Sequence, residues 1–139
     1  MGDILVSEAC DAVISPALGG IIVGQEVGRA LGKRHIFVEK EAGGRLVLRR
    51  GFKIKNGERY IVAEDVITRG GPVQETIDIV QAQGAIVEAV GVIVDRSGKI
   101  KPNFGCPFVS LIEMNVETFE ADKLPPDLAA IAAVKPGSK

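Results

Sequence analysis

The sequence predicts an α/β fold, an open and mainly parallel sheet flanked by helices, in a single domain over residues 1–139. Three observations carry this. Short apolar runs alternate with segments of helical periodicity, the pattern of βαβ units. Ile86 through Val94 is almost unbroken apolar sequence, as expected of a central parallel strand buried on both faces. Glycine pairs stand where a strand hands over to a helix, at Gly19-Gly20 and Gly70-Gly71. The chain holds 17 glycines in 139 residues, well above the usual ~7%. In a sequence that is not low-complexity, such an excess points to loops where backbone approaches a ligand.

The elements follow in order. Ala12-Val13-Ile14-Ser15 reads as a short buried strand stopped by Pro16. Val23, Val27, Ala30 and Leu31 share one helical face, and Gly32 is placed to end that helix. His35-Ile36-Phe37-Val38 reads as a second strand. Arg45 to Arg50 reads as an edge strand between hinges at Gly43-Gly44 and Gly51, and Asn56-Gly57 marks a turn. Tyr60-Ile61-Val62-Ala63 is a third strand, ending in Glu64-Asp65. Pro72 opens the next helix, whose apolar face is Val73, Ile77 and Val80, with Gly84 at its end. The apolar run to Val94 follows, then a last strand at Phe108–Ile112 and one short helix at Leu128–Ala133.

Composition excludes several classes. A chain of 139 residues buries a core without staples, and 46% apolar with 25% charged residues is globular. A net charge of −1 and a single tyrosine argue against a nucleic-acid module, which is usually basic. No apolar run approaches the ~18 residues of a membrane helix, and Met1-Gly2-Asp3-Ile4-Leu5 lacks the basic start of a secretory signal. Cys10 and Cys106 form no motif and read as reduced thiols of a cytoplasmic protein. Charge is unevenly spread: Glu39–Arg59 carries +4 and the rest of the chain −5. Such a segment is either a solvated loop and hairpin or a basic flap over an anionic ligand. The only histidine, His35, reads as a surface or partly packed imidazole.

In open α/β sheets, ligands bind beyond the carboxyl ends of the strands. Three stretches sit there: Ser15 to Gly20, Glu64 to Pro72, and Asp95-Arg96. A strand feeding Thr68-Arg69-Gly70-Gly71 into a helix aims backbone N–H groups at one point, where the helix dipole adds positive potential. That combination cradles a phosphate. Glu64 and Asp65 cannot bind phosphate; they suit ribose hydroxyls, or a metal carried in with the ligand. Acids beside a phosphate cradle describe a sugar phosphate; the plain alternative is a strand-to-helix turn with incidental acids.

The order of residues in Glu64-Asp65-Val66-Ile67-Thr68-Arg69-Gly70-Gly71 resembles the phosphoribosyl-pyrophosphate (PRPP) motif of the type I phosphoribosyltransferases. Arg69 stands where that motif usually has a small residue, and Pro72, which has no N–H, where Ser, Thr or Ala is usual. Val94-Asp95-Arg96-Ser97-Gly98 is similar to the strand end that carries the base-binding arginine of the orotate phosphoribosyltransferases. A guanidinium there pairs in a planar fork with a carboxylate pyrimidine. Ser15 to Ile22 resembles their pyrophosphate loop, and Phe37 to Phe52 stands where their mobile basic loop lies.

The resemblance covers roughly residues 11–123 and implies a type I phosphoribosyltransferase core with a flexible basic loop or hairpin. The implied reaction joins orotate to PRPP, giving orotidine 5′-phosphate and pyrophosphate in pyrimidine synthesis. It implies PRPP contacts at Glu64, Asp65, Val66, Ile67, Thr68, Arg69, Gly70, Gly71, Pro72, Lys40, Leu18 and Gly19, and orotate contacts at Thr68 and Arg96. Lys40, Glu64 and Asp65 are the implied catalytic residues. Mg²⁺ would be held mainly by PRPP, with Glu64 and Asp65 nearby, and the implied assembly is a homodimer. The family's loop often carries a histidine; none lies between Glu39 and Arg59 here. The first core strand begins near Ala12, so the N-terminal hood of the family is expected to be missing. Two alternatives stay open: a purine phosphoribosyltransferase, which Arg96 argues against, and a non-catalytic PRPP-binding module.

Overall fold

The computed structural model describes residues 10–117, 119–120, 122–132 and 134. Nine elements follow in chain order: β1 (Ala12–Pro16), α1 (Gly19–Leu31), β2 (Arg34–Lys40), β3 (Leu46–Leu48), β4 (Arg59–Ile67), α2 (Gly71–Ala82), β5 (Ile86–Asp95), β6 (Phe108–Glu113) and α3 (Pro126–Ala129). The strands form one sheet in the order β3-β2-β1-β4-β5-β6. Every pairing is parallel except β3, which lies antiparallel on β2.

Period-two alternation along β1 builds a core on each face of the sheet. Ala12 and Ile14 join Tyr60, Val62, Val90 and the α2 residues Val73, Ile77 and Val80. Val13 joins Ile61, Ala63, Ala89 and the α1 residues Val23 and Val27. The two helices therefore cover opposite faces. Pro16 continues β1 instead of stopping it. Ala17 N–H donates to Val38 O (2.7 Å), while the β1–β4 ladder has already ended at Ile14. The N–H that Pro16 lacks would have faced β4 beyond that ladder, so no sheet hydrogen bond is lost.

The buried face of α1 differs from the one expected. Gly20, Val23, Gly24, Val27 and Gly28 are buried, whereas Ala30 is exposed. Aliphatic periodicity alone missed the glycines, which bring the helix close to the sheet. A Cβ at Gly24 would run into the His35 ring, and one at Gly28 would stand 2.9 Å from Lys33 O. Gly32, at φ 64°, ends the helix as expected.

Other boundaries shift with packing. β4 runs on through Glu64 and Asp65 to Ile67, because Glu64, Val66 and Ile67 still pair with Val92, Val94 and Asp95. β5 lies second from the edge, not at the centre; Val87 and Ala89–Val92 are buried while Ile86 is exposed. The expected edge strand is reduced to Leu46–Leu48. The last helix forms at Pro126–Ala129, started by its proline, and Ala133 lies outside the described residues. Among the described residues, no helix is long and apolar enough to cross a membrane.

Candidate active site

From β1 the chain passes outward to β2 and β3, then returns to β4 on the other side of β1. This reversal is a topological switch point, where a crevice opens between two helices that depart to opposite faces. Here those helices are α1 and α2, and both N-termini open on the carboxyl edge of the sheet. The first N–H groups of each lack intrahelical acceptors and carry the positive end of the dipole. The crevice is therefore built to receive an anion.

Glu64 and Asp65 stand at its base. Glu64 is buried, its Oε1 accepting the Asp65 N–H at 3.0 Å; Asp65 Oδ1 accepts the Val66 N–H at 2.8 Å. Both carboxylates lodge against the first turn of α1. A Cβ at Gly20 would stand 2.7 Å from Glu64 Oε1, and one at Gly19 would collide with the Asp65 carboxylate. The Gly19-Gly20 pair thus makes room for the acids, a role its sequence position did not disclose. Burial, with a further contribution from hydrogen bonding to Asp65, pushes the Glu64 carboxyl up to about 8. Among the described residues no group of three or more His, Cys, Asp or Glu could hold a metal ion. Two adjacent carboxylates fit a hard cation that brings phosphate oxygens with it, as Mg²⁺ commonly does.

The turn after β4 is fixed from two directions. Gly70 adopts φ 77° at the cap of α2, and a Cβ there would lie 2.8 Å from the Phe104 ring. Gly71 faces open space, and Gln74 N–H closes the first helical turn on Gly70 O at 2.9 Å. Pro72 occupies the first turn, where its missing N–H breaks no helical bond. The Ile67 side chain is buried and its carbonyl accepts the Arg96 N–H (2.8 Å), which ties the end of β5 to this turn. Val66, Thr68 and Arg69 are exposed. Thr68, Arg69, Arg96, Ser97 and Val116 line one cleft of about 330 Å³. Residues 28 positions apart, singled out separately from sequence, meet there.

The basic stretch divides. Lys40 is exposed at the carboxyl end of β2 and Leu18 is exposed at the start of α1, both on the crevice edge. Arg45 pairs with Glu41 at 3.1 Å, while Arg49 and Arg50 reach Glu39 at 3.5 and 2.9 Å. Arg59 opens β4 at the opposite edge of the sheet, bound to Glu88 at 2.6 Å. The Asn56-Gly57 turn also lies there, its Gly57 N–H on Gly84 O (2.9 Å), with Lys55 beside it. A basic flap over the whole of Glu39–Arg59 does not form: Lys40 and the β2–β3 hairpin lie at the carboxyl edge, whereas Lys55 and Arg59 lie at the opposite edge, where β4 must start.

Three contacts carried no sequence signal. His35 Nε2 lies 2.6 Å from Ser15 Oγ beneath α1, and burial lowers the imidazole's pKa, so His35 is a packed group as expected. Phe104, 34 residues after Gly70, packs on it. Lys101 Nζ lies 2.6 Å from Asp95 Oδ2. Ser15 and His35 meet across neighbouring strands β1 and β2, while Phe104 and Lys101 both come from the β5–β6 connection. Cys10 and Cys106 are free thiols.

No family model matches the chain. It is 46% identical over 134 residues to an orotate phosphoribosyltransferase of Sphingopyxis alaskensis, covering 96% of this chain and 68% of that one. An orotate phosphoribosyltransferase of Caldanaerobacter subterraneus is 48% identical over 130 residues, covering 93% and 67%. The chain thus spans about two thirds of the length of these relatives. Among solved structures, the orotate phosphoribosyltransferase of Aeropyrum pernix superposes with a TM-score of 0.61 at 25% identity, covering 76% of this chain and 61% of that one. An adenine phosphoribosyltransferase of Thermoanaerobacter pseudethanolicus gives 0.67 at 18% identity, covering 81% and 74%. That second likeness bears on the fold alone.

Proposed function

The chain belongs to the orotate phosphoribosyltransferases, pentosyltransferase enzymes of pyrimidine biosynthesis with a type I phosphoribosyltransferase fold, and from that premise we propose how its residues divide the reaction. PRPP takes the β1/β4 crevice. Its 5′-phosphate sits on the Thr68-Arg69-Gly70-Gly71 turn and the N-terminus of α2, with Val66, Ile67 and Pro72 shaping that turn. Its pyrophosphate lies toward Leu18 and Gly19, at the N-terminus of α1, within reach of Lys40. Glu64 and Asp65 take the ribose hydroxyls. Thr68 and Arg96 take orotate, the guanidinium pairing with its carboxylate.

The C1′–O bond to pyrophosphate breaks as the C1′–N1 bond to orotate forms, and the N1 proton of orotate is lost. No covalent nucleophile is needed. Glu64 and Asp65 stabilise positive charge that develops on the ribose, and Lys40 neutralises charge on the departing pyrophosphate. Mg²⁺, bound with PRPP, would neutralise the diphosphate and screen Glu64 and Asp65 from it. A positive charge arriving beside Glu64 favours its ionised form, against the burial that raises its pKa. The reading further includes a homodimer and a cytoplasmic location, the latter in keeping with the two free thiols.

The observation that carries the reading is the shared cleft of Thr68 and Arg96, contiguous with the turn that follows the acid pair. The test is the loss of orotate absorbance on adding PRPP and Mg²⁺, run beside a calorimetric titration with PRPP. Absorbance loss with stoichiometric pyrophosphate release is the expected result. Heat of PRPP binding without turnover at high protein concentration would reduce this chain to a binding module.

A further inference from the structure

Arg96 sits on a turn whose geometry depends on a salt bridge outside the cleft. Asp95, at the end of β5, is 1% exposed. Its Oδ1 accepts the Ser97 N–H at 2.8 Å, its Oδ2 accepts Lys101 Nζ at 2.6 Å, and its carbonyl accepts the Met114 N–H at 2.8 Å. The Arg96 N–H is held by Ile67 O. Both neighbours of Arg96 are thus pinned through one buried carboxylate, while Arg96 itself is exposed. A buried carboxylate keeps its charge only with a compensating partner. Burial pushes Asp95 upward, but the bonds from Lys101 and Ser97 outweigh it and hold the carboxyl below its usual range. Lys101 also reaches Glu113 Oε2 at 3.2 Å, so it bridges the ends of β5 and β6.

Lys101 lines a different cleft, of about 340 Å³, with Asp95, Lys99 and Glu113. It is absent from the lining of the cleft that holds Thr68 and Arg96. Three residues on, Phe104 anchors the same loop against Gly70 of the phosphate turn. One loop therefore touches the base side through Lys101 and the phosphate side through Phe104.

We propose that Lys101 is a positioning residue for base recognition: by holding Asp95 on the Ser97 N–H it sets the turn that aims Arg96 into the cleft. This rests on the reading of Arg96 as the orotate contact. Without Lys101, Asp95 turns toward solvent or takes a proton, Ser97 is released, and the guanidinium is no longer held in register for a planar fork.

The experiment compares calorimetric affinities for orotidine 5′-phosphate and ribose 5-phosphate, whose ratio isolates the base. Lys101→Met should weaken orotidine 5′-phosphate about tenfold, the scale of a misplaced contact, and leave ribose 5-phosphate within about twofold. Lys101→Arg should restore most of the ratio. Lys99→Met, which removes the same charge from the same cleft, should leave the ratio unchanged. If Lys101→Met does not fold, Lys101→Gln carries the same comparison with a smaller loss in the same direction, because it removes the charge that compensates buried Asp95 while staying polar. Equal loss of both ligands, or equal effects of the Lys99 and Lys101 variants, overturns the proposal. A wild-type ratio near one overturns the orotate reading of Arg96 instead, and the proposal with it.

Discussion

Glu64 is the residue on which folding and the proposed catalysis make opposite demands. Burial pushes its carboxyl up to about 8 in the folded chain, well above the ordinary glutamate value of about 4.5. The native state therefore holds a proton that the unfolded chain has released. The stability linked to the neutral form is complete below about 4.5 and is lost as pH climbs through 8. Glu64→Gln, neutral at every pH, is expected to flatten that decline. By pH 9 it should exceed the parent in stability by on the order of 2 kcal/mol, measured by urea unfolding across pH. Orotidine 5′-phosphate formation should fall at least tenfold in the same variant if Glu64 takes the ribose as proposed, since the ribose then loses a carboxylate. At Arg96 the effect divides by substrate. Arg96→Ala should weaken orotate by about 2 kcal/mol, the scale of a charged hydrogen-bond pair, and leave the PRPP affinity unchanged. Equal losses for both substrates would count against its role.

At the scale of elements, the decisive feature is the glycine face of α1. Gly19 and Gly20 admit the two carboxylates, and Gly24 and Gly28 let the helix settle on β1 and β2. Gly24→Ala pushes a methyl group into the His35 ring and to 2.7 Å from Ser15 Oγ, breaking into their hydrogen-bonded pair. The expected cost is about 1–3 kcal/mol, as for overpacking in general, seen as a lowered midpoint in thermal denaturation. Gly71→Ala is the contrasting case: nothing lies within 4 Å of its added Cβ, so the melting midpoint should stay put. The sequence showed where α1 lies through Val23 and Val27. It did not show which way the helix faces, because glycine has no hydropathy signature and its packing role exists only against a partner surface. The apolar face of the second helix was legible, since Val73, Ile77 and Val80 are all aliphatic and all buried, but the burial of Thr76, whose hydroxyl donates to Pro72 O, was not.

For the whole molecule, the two cores meet across a single parallel sheet, and the site lies on their common carboxyl edge. A ligand that binds there and is absent from the unfolded state stabilises both layers by mass action. PRPP with Mg²⁺ at a hundredfold excess over its Kd should add about 2.7 kcal/mol, an upward shift of several degrees in the melting curve. Chelation with EDTA should remove most of that shift, since the uncompensated diphosphate would face the Glu64 and Asp65 carboxylates. An EDTA-insensitive shift of the same size would separate phosphate binding from metal binding.

What the sequence by itself determined was local and ordered: the alternation that makes a parallel sheet, the acid pair leading into a glycine turn, and the arginine at a strand end. These signals survive in one dimension because each is written within a few consecutive residues. Only the tertiary structure decided that Thr68 and Arg96 share a cleft and that Gly19 and Gly20 make room for Asp65 and Glu64. It also decided that Lys55 and Arg59 of the basic stretch leave the site, and that a lysine and a phenylalanine six and nine residues beyond Asp95 pack against Asp95 and Gly70. Those facts depend on strand order, and strand order is fixed by which apolar faces bury one another, a property of the whole chain.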